Sequence, residues 1–303
     1  MTAFIPTGVL GLDIALGGGG IPRGQLAEIY GPEKCGKTAL CLLVISEAQK
    51  SGGTAAFVDI DQTLDAARAV HLGVDAQKLI YVRPENTHQA VEISRTLTRS
   101  GALALLVIDS VAGLLTLGGE NPEKARGGSA SRELSQVVRE LAVLAEDTGT
   151  VVLFTNETRE RATRMYGVPE TTPGGIALKL HAAVRLEMTP REQIRSSLKM
   201  IGERVQVRVV KPKTALSFHA TFINIMYNGE VPRLDNLFDL AVELKIINKQ
   251  GASYSCSEAF LGRGREAAVS SLRENPRLAQ ELEATIRRQF LPSSAIPVDE
   301  GCK

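Results

Sequence analysis

Residues 31–38 carry the clearest chemistry in the chain. Gly31, Pro32, Glu33, Lys34, Cys35, Gly36, Lys37 and Thr38 spell G-x-x-x-x-G-K-[ST] between an apolar, strand-like run at 26–30 and a helix expected from about 37 to 50. That strand–loop–helix setting is what a phosphate-binding loop requires; an ordinary glycine-rich turn is the plainer reading it displaces. Gly31 and Gly36 let backbone pass close to phosphate oxygens, and the loop amides and helix N-terminus direct positive field at them. Lys37 supplies a point charge for the β- and γ-phosphates, the Thr38 hydroxyl is suited to Mg²⁺, and Ala39 follows in the first helical turn. Asp109 closes the apolar run 104–108, where a carboxylate that holds Mg²⁺ through water belongs, although a helix N-cap is its plainer reading. The spacing therefore points to a nucleoside triphosphate and Mg²⁺ as cofactors.

These residues need a frame. Short, continuously apolar runs at 26–30, 55–59, 79–82, 104–108 and 151–155 alternate with helical stretches at 37–50, 64–72, 87–99 and 132–147. The last is amphipathic, with Leu134, Val137, Val138, Leu141 and Leu144 at helical spacing. The pattern predicts an α/β fold, a mostly parallel twisted sheet flanked by helices on both faces. Ligands of such sheets bind beyond the carboxyl ends of the strands. Asp59, Asp61, Asp109, Ser110, Asn156 and Glu157 all follow strand ends and are expected to converge there. Segments 184–188, 205–209 and 221–225 alternate, which predicts an antiparallel extension of the sheet. From residue 233 a small C-terminal α/β domain is expected: a helix at 235–246, a turn at Gln250-Gly251, a brief strand near Tyr254 and two helices within 263–289. The division is thus a core at 1–232, a small domain at 233–290 and a tail at 291–303 expected to be disordered.

Composition narrows the class. With 303 residues, 44% hydrophobic and 23% charged, the chain has the makeup of a globular protein with room for a substantial core. The net charge of +1 gives no overall field for an acidic partner, so any nucleic-acid site must be a local patch. No apolar run approaches the roughly 18 residues needed to span a bilayer, and the N-terminus lacks a signal-peptide layout. Four cysteines without metal-ligand spacing suit free thiols in a reducing cytoplasm.

Read in order, TGVLGLDIAL at 7–16, GPEKCGKT, FVDIDQTLD with HLGVD, LLVIDSVAGL, FTNETR, YGVPETTPGGIALKLHAAVRLE, VRVVKPK and DLAVELKII resemble the bacterial RecA recombinases from about Pro6 to Gln289. The resemblance implies a RecA-type P-loop NTPase core and a DNA-dependent ATPase. It implies a nucleoprotein filament on single-stranded DNA that takes up duplex DNA during strand exchange, in recombination, repair and the DNA-damage (SOS) response. It assigns the P-loop and Asp109 to the nucleotide site and Asp65 and Arg68 to the base. Lys211 and Lys213 correspond to lysines that reach ATP across a protomer interface. Arg132, Ser135 and Arg139, on one helical face, follow the first DNA loop (about 118–132). Arg159, Arg161, Arg164, Tyr166, Gly174 and Gly175 belong to the second (about 158–175), where basic residues, an aromatic and glycines suit close approach to a DNA backbone.

The chain also departs from the family pattern. Asp61 stands where a water-orienting glutamate is expected, one methylene shorter, and a shift of roughly 1 Å in such a group can cost on the order of 100-fold in rate. Glu157 replaces a glutamine that senses the γ-phosphate; an ionised carboxylate cannot donate to a phosphate oxygen. Arg68 takes the place of a base-stacking tyrosine and can itself stack on a base. Leu180 replaces an interface aromatic, and the N-terminal protomer-docking arm and acidic C-terminal tail are expected to be absent. The catalytic set is then Lys37, Asp61, Asp109 and Glu157. Two functions follow: an ATP-dependent recombinase on single-stranded DNA, acting as a homo-oligomer or filament, or a weakly hydrolysing paralogue that co-assembles with, regulates or caps another RecA filament. A P-loop enzyme acting on a small molecule has only the loop to support it.

Overall fold

The structure, a computed structural model, describes residues 3–115, 128–158, 175–196, 199–211, 219–256 and 259–292. Its spine is an eight-stranded sheet. In chain order the strands are β3 (Leu26–Gly31), β4 (Thr54–Asp59), β5 (Leu79–Val82), β6 (Leu103–Asp109), β7 (Val151–Glu157), β8 (Ala182–Ser196), β9 (Lys199–Lys211) and β10 (Ala220–Met226). Across the sheet they run β10-β9-β8-β3-β7-β6-β4-β5. The five strands from β3 to β5 are mutually parallel, and every residue of β3 and β6 is buried, which is why those runs are apolar without alternation. A short pair, β1 (Phe4–Ile5) with β2 (Ile21–Pro22), flanks helix α1 (Leu10–Leu16).

Helices cover both faces. On one, α2 (Lys37–Lys50) buries Leu40, Leu42, Val44 and Ile45 against Ala27, Ile29, Val107 and Leu153. On the other, α4 (Thr87–Arg99) and α6 (Gly128–Thr148) pack Val91, Leu134, Val138 and Leu141 against Val58, Leu106, Ile108 and Phe154. Short helices α3 (Ala66–His71), α5 (Val111–Leu114) and α7 (Gly175–His181) complete the layers. Helix α3 starts two residues later than its sequence pattern suggests because Asp65 caps it, accepting from the amides of Ala67 and Arg68.

The expected antiparallel extension is mixed. Strand β8 lies parallel to β3, and only then does the chain reverse into antiparallel β9 and β10. Alternating burial reveals a half-covered strand but not its direction. Beyond β10, α8 (Arg233–Glu243), α9 (Arg265–Glu274) and α10 (Pro276–Phe290) enclose a second core with β11 (Ile247–Gln250), β12 (Ser253–Cys256) and β13 (Ala259–Arg263). The single brief strand expected at Tyr254 is the middle of this antiparallel sheet, β11-β12-β13. Its partners escape the pattern because β11 is mostly exposed and polar. Asn224 of β10 ties the two cores together. Its amide donates to Asn236 Oδ1 at 2.8 Å, and its side chain donates to Asp239 Oδ2 at 3.0 Å. No described helix is long and apolar enough to cross a membrane.

Candidate nucleotide site

The carboxyl ends of β3, β4, β6 and β7 open onto a cavity of ≈ 730 Å³. Its floor is the loop between β3 and α2. Gly36 sits at φ 93° and caps α2 without any side-chain bond, so the first amides of the helix stay open toward an anion. A Cβ at Gly36 would meet Ile225 Cδ1 at 2.3 Å, and one at Gly31 would meet the Met188 carbonyl oxygen at 2.3 Å. Gly31 is therefore required by close backbone packing, and Gly36 by its left-handed conformation. Lys37 folds back over the loop, donating to the carbonyls of Pro32 at 2.7 Å and Gly31 at 3.2 Å. Cys35 is buried in the loop, and burial pushes its thiol up, away from reactive thiolate.

Asp109 lies at the end of β6, 4% exposed. The Thr38 hydroxyl donates to its Oδ2 at 2.8 Å, and the Thr155 hydroxyl donates to its Oδ1. Burial pushes this carboxyl up; the bonds from Thr155 and Thr38 pull it back, and the charges of Asp61 and Asp59 add to the rise. A hydroxyl oxygen that gives its proton to a carboxylate keeps lone pairs for a metal. The Thr38–Asp109 pair is thus an all-oxygen donor set of the kind Mg²⁺ prefers, and these residues fit that ion.

Of the polar residues expected at this edge, Asp61, Asp109, Ser110 and Glu157 line the cavity. Asp61 lies over Gly113, whose added Cβ would meet Asp61 Oδ1 at 2.2 Å. Ser110 caps α5 by accepting from the Gly113 amide. Asp59 turns inward instead: it accepts from the amides of Thr63 and Leu64 and from the Tyr81 hydroxyl at 2.8 Å. Asn156 also departs from the expected convergence. Its side chain donates to Glu28 Oε1 at 2.9 Å, and Glu28 Oε2 accepts from Arg185 Nε at 2.6 Å, a buried network beneath the sheet edge.

Glu33, Lys34, Ala39, Asp65 and Arg68 line the cavity with the rest of the loop. Arg68 packs its stem within 3.0 Å of where a Cβ on Gly229 would stand. Opposite, β9, β10 and the turn after β10 contribute residues that the sequence pattern did not mark: Glu203, Val205, Ile225, Met226 and Tyr227, the last 57% exposed and donating to Glu203 at 3.2 Å. An aromatic beside the glycine turn 228–229 was the only local hint. Lining charges are unequal. Lys34, Lys37 and Arg68 face Glu33, Asp61, Asp65, Asp109, Glu157 and Glu203, three cations against six carboxylates among the described residues.

Lys211 pairs with Arg185 six residues along β9 from Val205, about 20 Å from the cavity wall at strand rise. Arg132, Ser135 and Arg139 sit on α6, the two arginines exposed and the serine half-buried, turned away from the buried Leu134–Val138–Leu141 stripe. Gly175 opens α7. Lys213, Arg159, Arg161, Arg164, Tyr166, Gly174 and the tail beyond 292 lie outside the described residues.

Fold and loop together define a P-loop nucleoside-triphosphate-binding protein. The family model for the RecA N-terminal domain matches residues 2–231, and that for the RecA C-terminal domain matches 235–291. Among curated relatives, a protein named Protein RecA from Heliobacterium modesticaldum is 46% identical over 95% of this chain and 84% of its own length. The Protein RecA of Caldanaerobacter subterraneus subsp. tengcongensis is 44% identical over 94% and 84%, and that of Frankia casuarinae 43% over 97% and 88%. The chain belongs to the RecA family.

Proposed function

We propose that this chain is an ATP-dependent recombinase of homologous recombination and repair, which assembles on single-stranded DNA and takes up duplex DNA during exchange. The observation that carries the reading is the acid excess of the nucleotide cavity. A triphosphate would add further negative charge to a site whose described lining holds twice as many carboxylates as cations. It binds stably only if cations arrive with it. One is Mg²⁺, which Thr38 and Asp109 would hold and which would neutralise charge on the phosphate oxygens. The others are the lysines at 211 and 213 of a neighbouring protomer, since Lys211 stands far along its own strand from its own cavity. Assembly would then complete the site. Exposed Ile176 and Leu180, 71% and 66% accessible on α7, support an apolar contact in that assembly.

Within the cavity, Lys37 exchanges its two loop carbonyls for phosphate oxygens. Asp61 orients the attacking water from its seat over Gly113, with turnover reduced by its shorter reach. Glu157 meets the γ-phosphate side as an acceptor only, so it needs the partner lysines or the metal between itself and phosphate. Arg68 and Tyr227 offer a guanidinium and an aromatic face to the base. Arg132, Ser135 and Arg139 track DNA phosphates from α6, and Arg159, Arg161, Arg164, Gly174 and Gly175 belong to the second DNA-binding loop of the same reading. A filament-capping paralogue is not favoured, because relatives named Protein RecA align with nearly the whole chain.

Steady-state ATP hydrolysis with and without single-stranded DNA tests the reading. Marked stimulation by DNA is expected, and Lys37→Ala should abolish nucleotide binding. Equal turnover under both conditions would remove the DNA-dependent role.

A further inference from the structure

Asp109 is held at both oxygens, but only one of its partners belongs to the phosphate loop. Thr38 donates to Oδ2 from the first turn of α2. Thr155, on β7, donates to Oδ1 and is itself fully buried. Two neutral hydroxyls are the side-chain donors to this carboxylate among the described residues. A carboxylate with both oxygens fixed cannot rotate about its terminal bond, so the oxygen beside Thr38 always faces the cavity. Thr155 achieves this from a strand that pairs directly with β6.

We propose that Thr155 is a positioning residue for the divalent cation of the nucleotide site. It anchors Asp109 Oδ1, which leaves Oδ2 with Thr38 on the cavity side, where the pair would hold the cation. The proposal rests on the reading of Asp109 as a metal-holding residue. Residues that orient a ligand from behind typically change metal affinity by about 10–100-fold when removed.

The test is Mn²⁺ binding to the full chain saturated with a non-hydrolysable ATP analogue, followed by the loss of the free-ion electron paramagnetic resonance signal. Thr155→Val keeps the shape and removes the hydroxyl; Mn²⁺ affinity should fall about tenfold. Thr155→Ser should restore wild-type affinity. Analogue binding measured in EDTA should match wild type in both variants, since the phosphate loop is untouched. If Thr155→Val does not fold, Thr155→Ala against Thr155→Ser carries the same comparison. Wild-type Mn²⁺ affinity in a folded variant without the hydroxyl overturns the proposal. Asp109→Asn separates the two levels. If it weakens Mn²⁺ binding while Thr155→Val does not, only the positioning role fails. If it leaves Mn²⁺ binding intact, Asp109 is not a metal-holding residue and the proposal falls with that reading.

Discussion

Two buried carboxylates lie in neighbouring regions of one sheet and are treated in opposite ways. Glu28, on β3, is fully buried and has its counter-charge built in: Arg185 from β8, with Asn156 from β7 satisfying its other oxygen. Asp109, on β6, is almost as buried but among the described residues its side chain is met by two hydroxyls. Strand β7 serves both. Its consecutive residues Thr155 and Asn156 point to opposite faces, one toward the α2 side and Asp109, the other toward the α6 side and Glu28. The contrast separates structure from function. A buried charge that is already neutralised fixes how β3, β7 and β8 fit together. A buried charge left without a cation, at the mouth of a cavity, is a place for one to bind.

The largest test of this contrast is Arg185→Met. It leaves Glu28 without its cation in the core and should cost about 3–5 kcal/mol of stability in denaturant unfolding. Replacing Glu28 as well should recover much of that, and a loss below about 1 kcal/mol would erase the distinction.

A third carboxylate sharpens it. Asp13 on α1 is 1% exposed and accepts from the Thr7 amide at 2.8 Å and the Thr7 hydroxyl at 2.7 Å. Burial pushes it from 3.8 up to about 7, opposed by the Thr7 bonds and the Arg287 charge and reinforced by Glu47. Below pH 4 it is protonated folded or unfolded and contributes nothing to the pH dependence. Between pH 4 and 7 the unfolded chain releases the proton while the fold keeps it. Stability therefore falls as pH rises, by up to about 4 kcal/mol, and levels off above 7. Asp13→Asn should remove this slope. Denaturant midpoints at pH 5 and pH 8 check it, and an unchanged slope would show that burial of Asp13 carries no such penalty.

The smallest expected effect is on stability at the cavity itself. Asp109→Asn keeps an acceptor for Thr155 and relieves an uncompensated charge. Its unfolding free energy should stay within about 1 kcal/mol of wild type or rise, while metal-dependent turnover is lost. A loss as large as that of Arg185→Met would mean that Asp109 is a structural residue.

What the sequence made legible follows from how local each feature is. The phosphate loop and Asp109 were readable because a fixed spacing between an apolar run and a helix start determines where Lys37, Thr38 and the strand-end carboxylate lie. Glu203 and Tyr227 were not. They reach the cavity because β8 pairs parallel to β3 and places β9 and β10 beside it, a pairing that alternation does not encode. Arg68 was placed at the base by the family resemblance, yet its packing partner, Gly229, comes from the turn after β10. Thr155 looked like one more strand residue, since β-branched residues favour strands whatever their hydroxyls do. Asn156 and Asp59 sit at strand ends as expected, but pleat and turn geometry send their side chains inward.

The bonds from Asn224 to α8 link the cavity wall directly to the C-terminal unit. Asp239, which Asn224 reaches, is also held by Arg265 at 2.9 Å from the start of α9. A nucleotide that shifts Tyr227 and the end of β10 by a fraction of an ångström would work a lever rather than a spring, with its far arm on the surface of the small domain. A fluorescent probe on α9 would then read cavity occupancy without touching the nucleotide.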